Sequence, residues 1–268
     1  MSAPFTAILL AGDRPADVLA QQSPGKRKAL LILQGRPMIL YVLETLLATP
    51  AVGNIIVVAN RISEIESNRD LQNFVAGVTP DRIVFREGAG SPATSVLKTM
   101  EDMRFDGAVL VTTADNPLLK PETLQAFCDG VSNSQGVDAA VGLARESDIR
   151  AAFPDVKRTY IRLGGEGYSG CNLFALTPGA GPKAAQAWSE VEGRRKKPWQ
   201  LILHFGFFTL LRAVLGFLDL DKAMAAVSRS MGLTVKAVIL SDPVAAMDVD
   251  RPDHVPVTEA ILAARSRP

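Results

Sequence analysis

The chain has few cysteines, little net charge and no recognisable leader. Only Cys128 and Cys171 occur among 268 residues, which argues against a disulfide framework and fits a reducing compartment. The formal net charge of +1 gives no general attraction to acidic partners, so we expect no nucleic-acid partner. The first apolar run lacks a basic leader and is too short for a signal peptide, so we expect a cytoplasmic protein.

Apolar residues, by contrast, are abundant. They make up 47% of the chain, and the mean hydropathy is +0.15. That content is enough to bury one large α/β core. We therefore expect a single domain over residues 1–268 with an insertion, rather than two domains of equal size.

Apolar runs of β type alternate with helical patterns along the chain. Strands are predicted at Thr6–Ala11, Asn54–Ala59, Arg82–Phe85, Gly107–Thr113, Ala139–Ala144 and Thr234–Leu240. Helices are predicted at Pro37–Ala48, Ser63–Val75, Pro92–Met103, Lys120–Ser132 and Pro252–Arg265. This alternation predicts an α/β fold with a mainly parallel sheet and helices on both faces. Two further strands, in an antiparallel excursion, are predicted at Tyr160–Leu163 and Gly170–Leu176.

Two acidic segments each follow a predicted strand. Asp115 comes after the run 107–113, and Asp248 and Asp250 come after the run 235–240. Ligands of open α/β sheets bind at the carboxyl ends of the strands, so these side chains are expected at a ligand site. Carboxylates without nearby histidine or cysteine suit Mg²⁺ or Mn²⁺, and Mg²⁺ usually arrives with substrate phosphates. The pattern indicates an enzyme that handles phosphates.

A basic loop follows the first predicted strand. After Gly12 and Arg14 the chain reaches three successive cations, Lys26, Arg27 and Lys28. Such a loop can neutralise a triphosphate through its backbone N–H groups and its cations. A run of charges is usually solvated. Of these three residues, only Lys28 is expected to bind phosphate, because an apolar segment follows it.

Six motifs in a fixed order resemble the nucleotidyltransferases of the GT-A-like fold, in particular the family with a molybdenum-cofactor-guanylyltransferase-like NTP transferase domain. They are L-A-G-x-R (Leu10–Arg14), K-A-L-L-I-L-Q-G-R-P-M-I (Lys28–Ile39), G-S-P-A-T-S-V-L (Gly90–Leu97), A-D-N-P-L-L (Ala114–Leu119), S-G-C-N-L-F (Ser169–Phe174) and D-V-D-R-P-D (Asp248–Asp253). Each motif alone is weakly specific, whereas all six in order cover most of the chain. The resemblance implies the GT-A-like architecture of nucleotide-diphospho-sugar transferases.

The resemblance also implies roles for individual residues. Nucleotide-binding residues would be Leu10, Ala11, Gly12, Arg14, Lys28, Gly90, Ser95 and Asp115. Catalytic roles would fall to Arg14, Lys28 and Asp115, and Asn172 would face the acceptor. Asp115, with one or both of Asp248 and Asp250, would hold Mg²⁺ or Mn²⁺.

Members of the family join an NTP to a phosphorylated acceptor and release pyrophosphate. For this chain the expected donor is CTP or GTP, and the expected acceptor is a sugar, polyol or lipid-headgroup phosphate. Two alternatives are open: a glycosyltransferase of the same fold, and a non-catalytic nucleotide-binding or membrane-associated protein. Retention of Lys28 disfavours a glycosyltransferase, because a basic loop for leaving pyrophosphate is typical of enzymes that use NTPs.

Asp13 departs from the family pattern, because it occupies a common glycine position of the phosphate loop. A carboxylate beside a triphosphate is repulsive unless a cation intervenes. Three interpretations are open: the side chain points outward, it binds metal, or it marks reduced activity. The acidic segments have simpler interpretations as well, with Asp115 in a turn and Asp250 capping the last helix.

A helical insertion is predicted at about residues 193–232. A basic cluster, Arg194 to Lys197, precedes an apolar stretch that ends at Leu220. The stretch is nearly long enough to span a bilayer, but His204, Arg212 and Asp219 argue against a spanning helix. Three roles are open for residues 194–220: packing on the parent domain, a homodimer interface, or peripheral contact with the inner face of the membrane.

Overall fold

The computed structural model describes residues 5–13, 17–156, 158–194 and 219–265. Arg14 and the segment 195–218 lie outside the described residues, so the roles predicted for them, including dimer or membrane contact, stay predictions. The division into one domain with an insertion also stays a prediction. None of the helices within the described ranges is both long enough and apolar enough to cross a membrane.

Ten strands form in the described residues. In chain order they are β1 (Phe5–Leu10), β2 (Ile32–Leu33), β3 (Arg36–Pro37), β4 (Val52–Ala59), β5 (Ile83–Glu87), β6 (Val109–Thr113), β7 (Ala139–Arg145), β8 (Ile161–Leu163), β9 (Glu166–Leu176) and β10 (Val235–Leu240). The short strands β2 and β3 form a separate hairpin. Its turn residues Gln34 and Gly35 have φ values of +46° and +77°, a conformation that glycine adopts without strain.

The other eight strands form one sheet in the order β10-β7-β9-β6-β1-β4-β5, with β8 paired to β9. The pairs β1–β4, β1–β6, β4–β5 and β7–β10 are parallel. Among the described strands, β9 alone runs in the opposite direction, since it is antiparallel to β6, β7 and β8. The mainly parallel sheet and the antiparallel excursion predicted from the sequence are both confirmed.

Ten α-helices accompany the strands in the described ranges. They are α1 (Val18–Gln22), α2 (Met38–Ala48), α3 (Ile62–Glu66), α4 (Arg69–Ala76), α5 (Pro92–Asp102), α6 (Pro121–Ser132), α7 (Glu146–Ala152), α8 (Gly181–Arg194), α9 (Leu220–Met231) and α10 (His254–Arg265). Short 3₁₀ turns form at Pro24–Lys26, Lys28–Leu30 and Pro243–Ala246.

The helices cover both faces of the sheet, as predicted. Side chains alternate along β1, so that Ala7 and Leu9 pack in a buried cluster with residues of α2, α4 and α6. Ile8 and Leu10 face the other way, into a cluster with residues of α5 and α8. A strand buried on both faces reads as a continuous apolar run, which is why β1 could be recognised from the sequence.

The carboxyl ends of β1 and β6 lie side by side. Leu10 pairs in register with Thr113, so the loops that carry Gly12 and Asp115 leave the sheet at the same edge. Strand β10 is at the end of the sheet, separated from β6 by β7 and β9. The chain after β10 returns through the 3₁₀ turn Pro243–Ala246, and the backbone N–H of Val249 donates to the Asp115 carbonyl oxygen at 2.8 Å. Both acidic segments therefore meet beside the phosphate loop.

Two predicted helices differ from the structure. The helix predicted at Ser63–Val75 is two helices, α3 and α4, because Asn68 adopts an extended conformation and caps α4 by accepting a 3.0 Å hydrogen bond from Leu71 N. The last helix begins at His254 rather than Pro252. Helices α1, α7 and α8 had no predicted counterpart.

We expect Asn68→Ala to lower the free energy of unfolding by about 1 kcal/mol, because the first turn of α4 loses its cap. Urea unfolding of the purified protein measures the change. Gln72→Ala, an exposed position in the same helix, is the control and should stay within about 0.5 kcal/mol of wild type. Equal losses in the two variants would show that the cap is not the cause.

Candidate functional site

The predicted phosphate loop and the first acidic segment line one small cleft at the carboxyl edge of the sheet. Five of the residues predicted to bind nucleotide line it: Leu10, Ala11, Gly12, Lys28 and Asp115. Ala29, Met38 and Ala114 complete the lining. The fold thus brings together three of the motifs that the sequence places far apart.

Lys28 lies at the centre of this cleft. Its Nζ donates to Asp115 Oδ2 and to Asp250 Oδ1, each at 2.7 Å, and its side chain is 10% exposed. Burial alone would lower the pKa of Lys28, but the two carboxylates outweigh burial and raise that pKa above its ordinary value. Lys28 is therefore a stable cation that two carboxylates share.

Asp115 is held from two sides. Thr113 Oγ1 donates to Asp115 Oδ1 at 2.5 Å, while Lys28 occupies the other carboxylate oxygen. Burial raises the pKa of the Asp115 carboxyl, Asp250 and Asp248 raise it further, and Lys28 opposes the increase. Burial of the Asp115 carboxyl is therefore the main cause of its raised pKa, and the neighbouring carboxylates add to it.

Asp248 has partners of its own. Its Oδ1 forms an ion pair with Arg158 Nη1, and its Oδ2 accepts a hydrogen bond from Asn172 Nδ2 at 3.2 Å. Among the described residues, Lys28 contacts Asp115 and Asp250, and Arg158 contacts Asp248.

The predicted metal set was Asp115, Asp248 and Asp250. Across the residues that the structure describes, no three Asp, Glu, His or Cys side chains cluster closely enough to hold a metal ion. The assignment stays a prediction, but two of its members fit a hard cation. Oxygens of Asp115 and Asp250 converge on one point, where Lys28 Nζ lies, and Mg²⁺ is commonly held by one or two carboxylates together with substrate phosphates.

A bulge in β9 aims Asn172 at Asp248. Pairing with β7 shifts between Val141↔Phe174 and Leu143↔Gly170, and Asn172 has a φ of +52°. A bulge of this kind redirects a side chain, and a non-glycine residue at positive φ is a mark of functional sites. The motif around Asn172 was visible in the sequence, but the bulge was not.

Asn116 ties three parts of the site together. Its side-chain amide donates to the carbonyl oxygens of Ala245, at 2.8 Å, and Cys171, at 3.3 Å. It thereby links the first acidic loop to the β9 bulge and to the turn before Asp248. Asn116 is 1% exposed, and its burial could not be inferred from the A-D-N-P-L-L motif.

Asp13 and Arg27 form a buried pair in the phosphate loop. Arg27 is 1% exposed, and its Nη1 contacts Asp13 Oδ2 at 2.8 Å while its Nη2 contacts Glu64 Oε2 at 2.7 Å. Asp13 Oδ1 also accepts from the backbone N–H of Lys28 at 2.8 Å. The interpretation of Arg27 as a solvated charge was wrong, because it is the cation that neutralises Asp13.

Gly90 lies in the loop before α5 and Ser95 lies in the first turn of that helix, and neither lines the cleft that contains Lys28. Ser95 Oγ accepts from Ala89 N at 2.8 Å and donates to the Ser91 carbonyl oxygen at 2.7 Å, which fixes the loop. A Cβ on Gly88 would lie 3.1 Å from both Ser95 Oγ and the Ala59 carbonyl carbon, so the loop packs closely against β4. The nucleotide-binding roles of Gly90 and Ser95 stay predictions.

Neither cysteine has the features of a nucleophile. Cys128 and Cys171 are both free and buried, and burial raises the pKa of each thiol to about 12. Cys171 is a small buried residue of β9.

We expect Lys28→Met to lower the free energy of unfolding at about pH 7 by about 2 kcal/mol, because two carboxylates lose their shared cation. The raised pKa of Asp115 then rises further. A carboxyl whose pKa is raised in the folded state stabilises the protein below its ordinary pKa, and that stabilisation is lost as the pH rises through the folded pKa. The stability difference between Lys28→Met and wild type should therefore shrink toward about pH 4. Urea unfolding at a series of pH values measures it. Lys98→Met, at an exposed position, should show no such recovery.

We expect Arg27→Met to cost about 2 kcal/mol of stability, because Asp13 is left buried without a cation. Arg61→Met is a matched control, since Arg61 also pairs with Glu64 but is 66% exposed, and it should cost less than about 0.5 kcal/mol. The double variant Asp13→Asn with Arg27→Met should recover part of the loss. Thermal unfolding compares the wild type with the three variants. A double variant that is less stable than Arg27→Met would contradict the Asp13–Arg27 ion pair.

Solved structures share this architecture. A hypothetical transferase from Thermus thermophilus superposes with a TM-score of 0.78 at 28% identity, covering 94% of this chain and 99% of that one. CMP:2-keto-3-deoxy-manno-octonic acid synthetase complexed with CTP gives a TM-score of 0.61 at 15% identity, over 98% of this chain and all of that one. 4-Diphosphocytidyl-2C-methyl-D-erythritol synthase from Anaerococcus prevotii superposes with a TM-score of 0.60 at 11% identity, covering 98% of this chain and 100% of that one. The last two show similarity of fold alone.

Similarity in sequence points the same way. The bifunctional protein GlmU of Anaeromyxobacter dehalogenans is 30% identical over 142 residues, which are 53% of this chain and 27% of that protein. The family model of the MobA-like NTP transferase domain matches residues 7–203, a range that contains the phosphate loop, the first acidic segment and the β9 bulge. The chain therefore belongs to the MobA-like NTP transferase family of nucleotidyltransferases.

Proposed function

We propose that this protein is a Mg²⁺-dependent nucleotidyltransferase that joins a nucleoside monophosphate from an NTP to a phosphorylated acceptor and releases pyrophosphate. The observation that carries the proposal is the position of Lys28, between Asp115 and Asp250 and beside Gly12 of the phosphate loop. Family membership supports an NTP as the donor, with CTP and GTP as the first candidates. A sugar, polyol or lipid-headgroup phosphate is the proposed acceptor.

The charges in the cleft suit this chemistry. Asp115 and Asp250 would hold Mg²⁺, which supplies positive charge to the phosphate oxygens of the donor. Lys28 would then exchange its two carboxylates for oxygens of the leaving pyrophosphate. Because Asp13 is already neutralised by Arg27, its carboxylate does not repel the triphosphate. Catalysis is then positioning and charge neutralisation.

The reaction balances without a covalent enzyme intermediate. An oxygen of the acceptor phosphate attacks the α-phosphorus in line and forms a new P–O bond. The bond from the α-phosphorus to the α,β-bridging oxygen breaks, and its electron pair leaves with pyrophosphate. An acceptor phosphate is already ionised at neutral pH, since its second pKa is about 6, so no general base is required.

The direct test is a screen of the four NTPs for Mg²⁺-dependent binding by calorimetry, followed by a pyrophosphate-release assay with a panel of phosphorylated sugars, polyols and lipid headgroups. Release that requires one NTP and one acceptor is the expected result. Consumption of a nucleotide sugar without pyrophosphate release would instead support a glycosyltransferase. An absence of turnover with bound NTP would support a nucleotide-binding protein without catalysis.

With the substrates identified, Asp115→Asn and Asp250→Asn should each lower turnover by at least about a hundredfold, because a lost carboxylate ligand removes several kcal/mol of transition-state stabilisation. Asp253→Asn is the matched control, since Asp253 lies in the same segment but is 61% exposed and pairs with Arg251. It should retain wild-type turnover. Near-normal turnover in both Asp115→Asn and Asp250→Asn would rule out the metal assignment.

A further inference from the structure

Asp248 and Asp250 are separated by one residue but contact different cations. The hydrogen bond from Val249 N to the Asp115 carbonyl oxygen anchors the backbone between them. On one side of Val249 the Asp250 carboxylate contacts Lys28, and on the other side the Asp248 carboxylate contacts Arg158. The acidic segment thus contributes to two charged groups, each with a cation of its own.

Arg158 is nearly buried but only partly satisfied. Its side chain is 11% exposed, and its Nη1 contacts Asp248. Its Nε is buried and has no hydrogen-bond partner among the described residues. A guanidinium presents five N–H donors in a planar fork that matches two oxygens of a phosphate. In the described residues the Arg158 guanidinium pairs with one carboxylate, that of Asp248, so some of its N–H donors are left for a second anion.

The two charged groups are adjacent and linked through the scaffold. Asn172, which donates to Asp248 Oδ2, follows Cys171, whose carbonyl oxygen accepts from Asn116. Asn116 itself follows Asp115. The bulge that carries Asn172 therefore fixes the Arg158–Asp248 pair relative to the carboxylates that contact Lys28.

We propose that Arg158 binds the phosphate of the acceptor, and that Asp248 and Asn172 position the guanidinium. The inference rests on the proposed function, because that reaction brings an acceptor phosphate against the α-phosphate of the NTP. Two like charges must then approach, and hydrogen bonds from a second cation, in addition to Lys28, reduce their repulsion. Asp115 and Asp250 are left to hold the metal, so Asp248 is a positioning residue rather than a metal ligand.

Inorganic phosphate is the probe, because it carries the anionic group without the unidentified remainder of the acceptor. Calorimetry and thermal unfolding measure its affinity for the full chain saturated with Mg²⁺ and an α,β-methylene analogue of the NTP found by the screen, so that the triphosphate site is occupied. Arg158→Met should weaken phosphate binding by at least about tenfold, and Arg158→Lys should weaken it by at least about threefold, because an ammonium lacks the fork. The affinity for the NTP analogue should stay within about twofold of wild type.

Arg162→Met is the matched control. Arg162 also pairs with a carboxylate, Glu146 at 2.9 Å, but it is 65% exposed and does not contact the acidic segment. Its variant should bind phosphate as wild type does. Unchanged phosphate affinity in both Arg158 variants would overturn the inference, and so would an equal loss in Arg162→Met. If no NTP binds, the proposed function fails separately, and the same phosphate titration is made on the free protein.

Discussion

The ion pairs of Lys28 with Asp115 and Asp250 join segments that are 87 and 222 positions apart in the chain. Each partner needs the others. Burial without the carboxylates would lower the pKa of Lys28, and two carboxylates that converge on one point would repel each other without the lysine. The loop after β1, the loop after β6 and the return from β10 are all arranged so that this contact forms.

Around that contact, each charge that would oppose a polyphosphate has a cation beside it. Asp13, which replaces a loop glycine, is neutralised by Arg27, and Asp248 is neutralised by Arg158. The departure from the glycine-rich pattern is therefore compensated inside the same loop. A single carboxylate substitution in a phosphate loop says little about activity until its partner is known, and here the partner is the residue before Lys28.

The sequence was informative wherever local pattern determines structure. Strands buried on both faces read as continuous apolar runs, and parallel strands bring their carboxyl ends to one edge, so the meeting of Gly12, Lys28 and Asp115 could be predicted. What could not be predicted depends on contacts between remote residues. The burial of Arg27 requires Glu64 from α3, and Asn172, one of the two partners of Asp248, comes from a bulge that has no signature in composition. The break at Asn68 was missed because a cap interrupts an otherwise continuous apolar period.

The position of Asp250 after an edge strand has a consequence for local stability. Strand β10 pairs with β7 on one side and has no further strand beyond it in the described sheet. Because an edge strand is paired on one side only, we expect the segment from β10 to α10 to open locally at a smaller free-energy cost than global unfolding, while the rest of the sheet stays paired. Such an opening would remove Asp248 and Asp250 together from the contacts with Arg158 and Lys28. Hydrogen exchange at β10 would then report the population of a folded but incompetent state, and inactivation on warming would precede the loss of secondary structure.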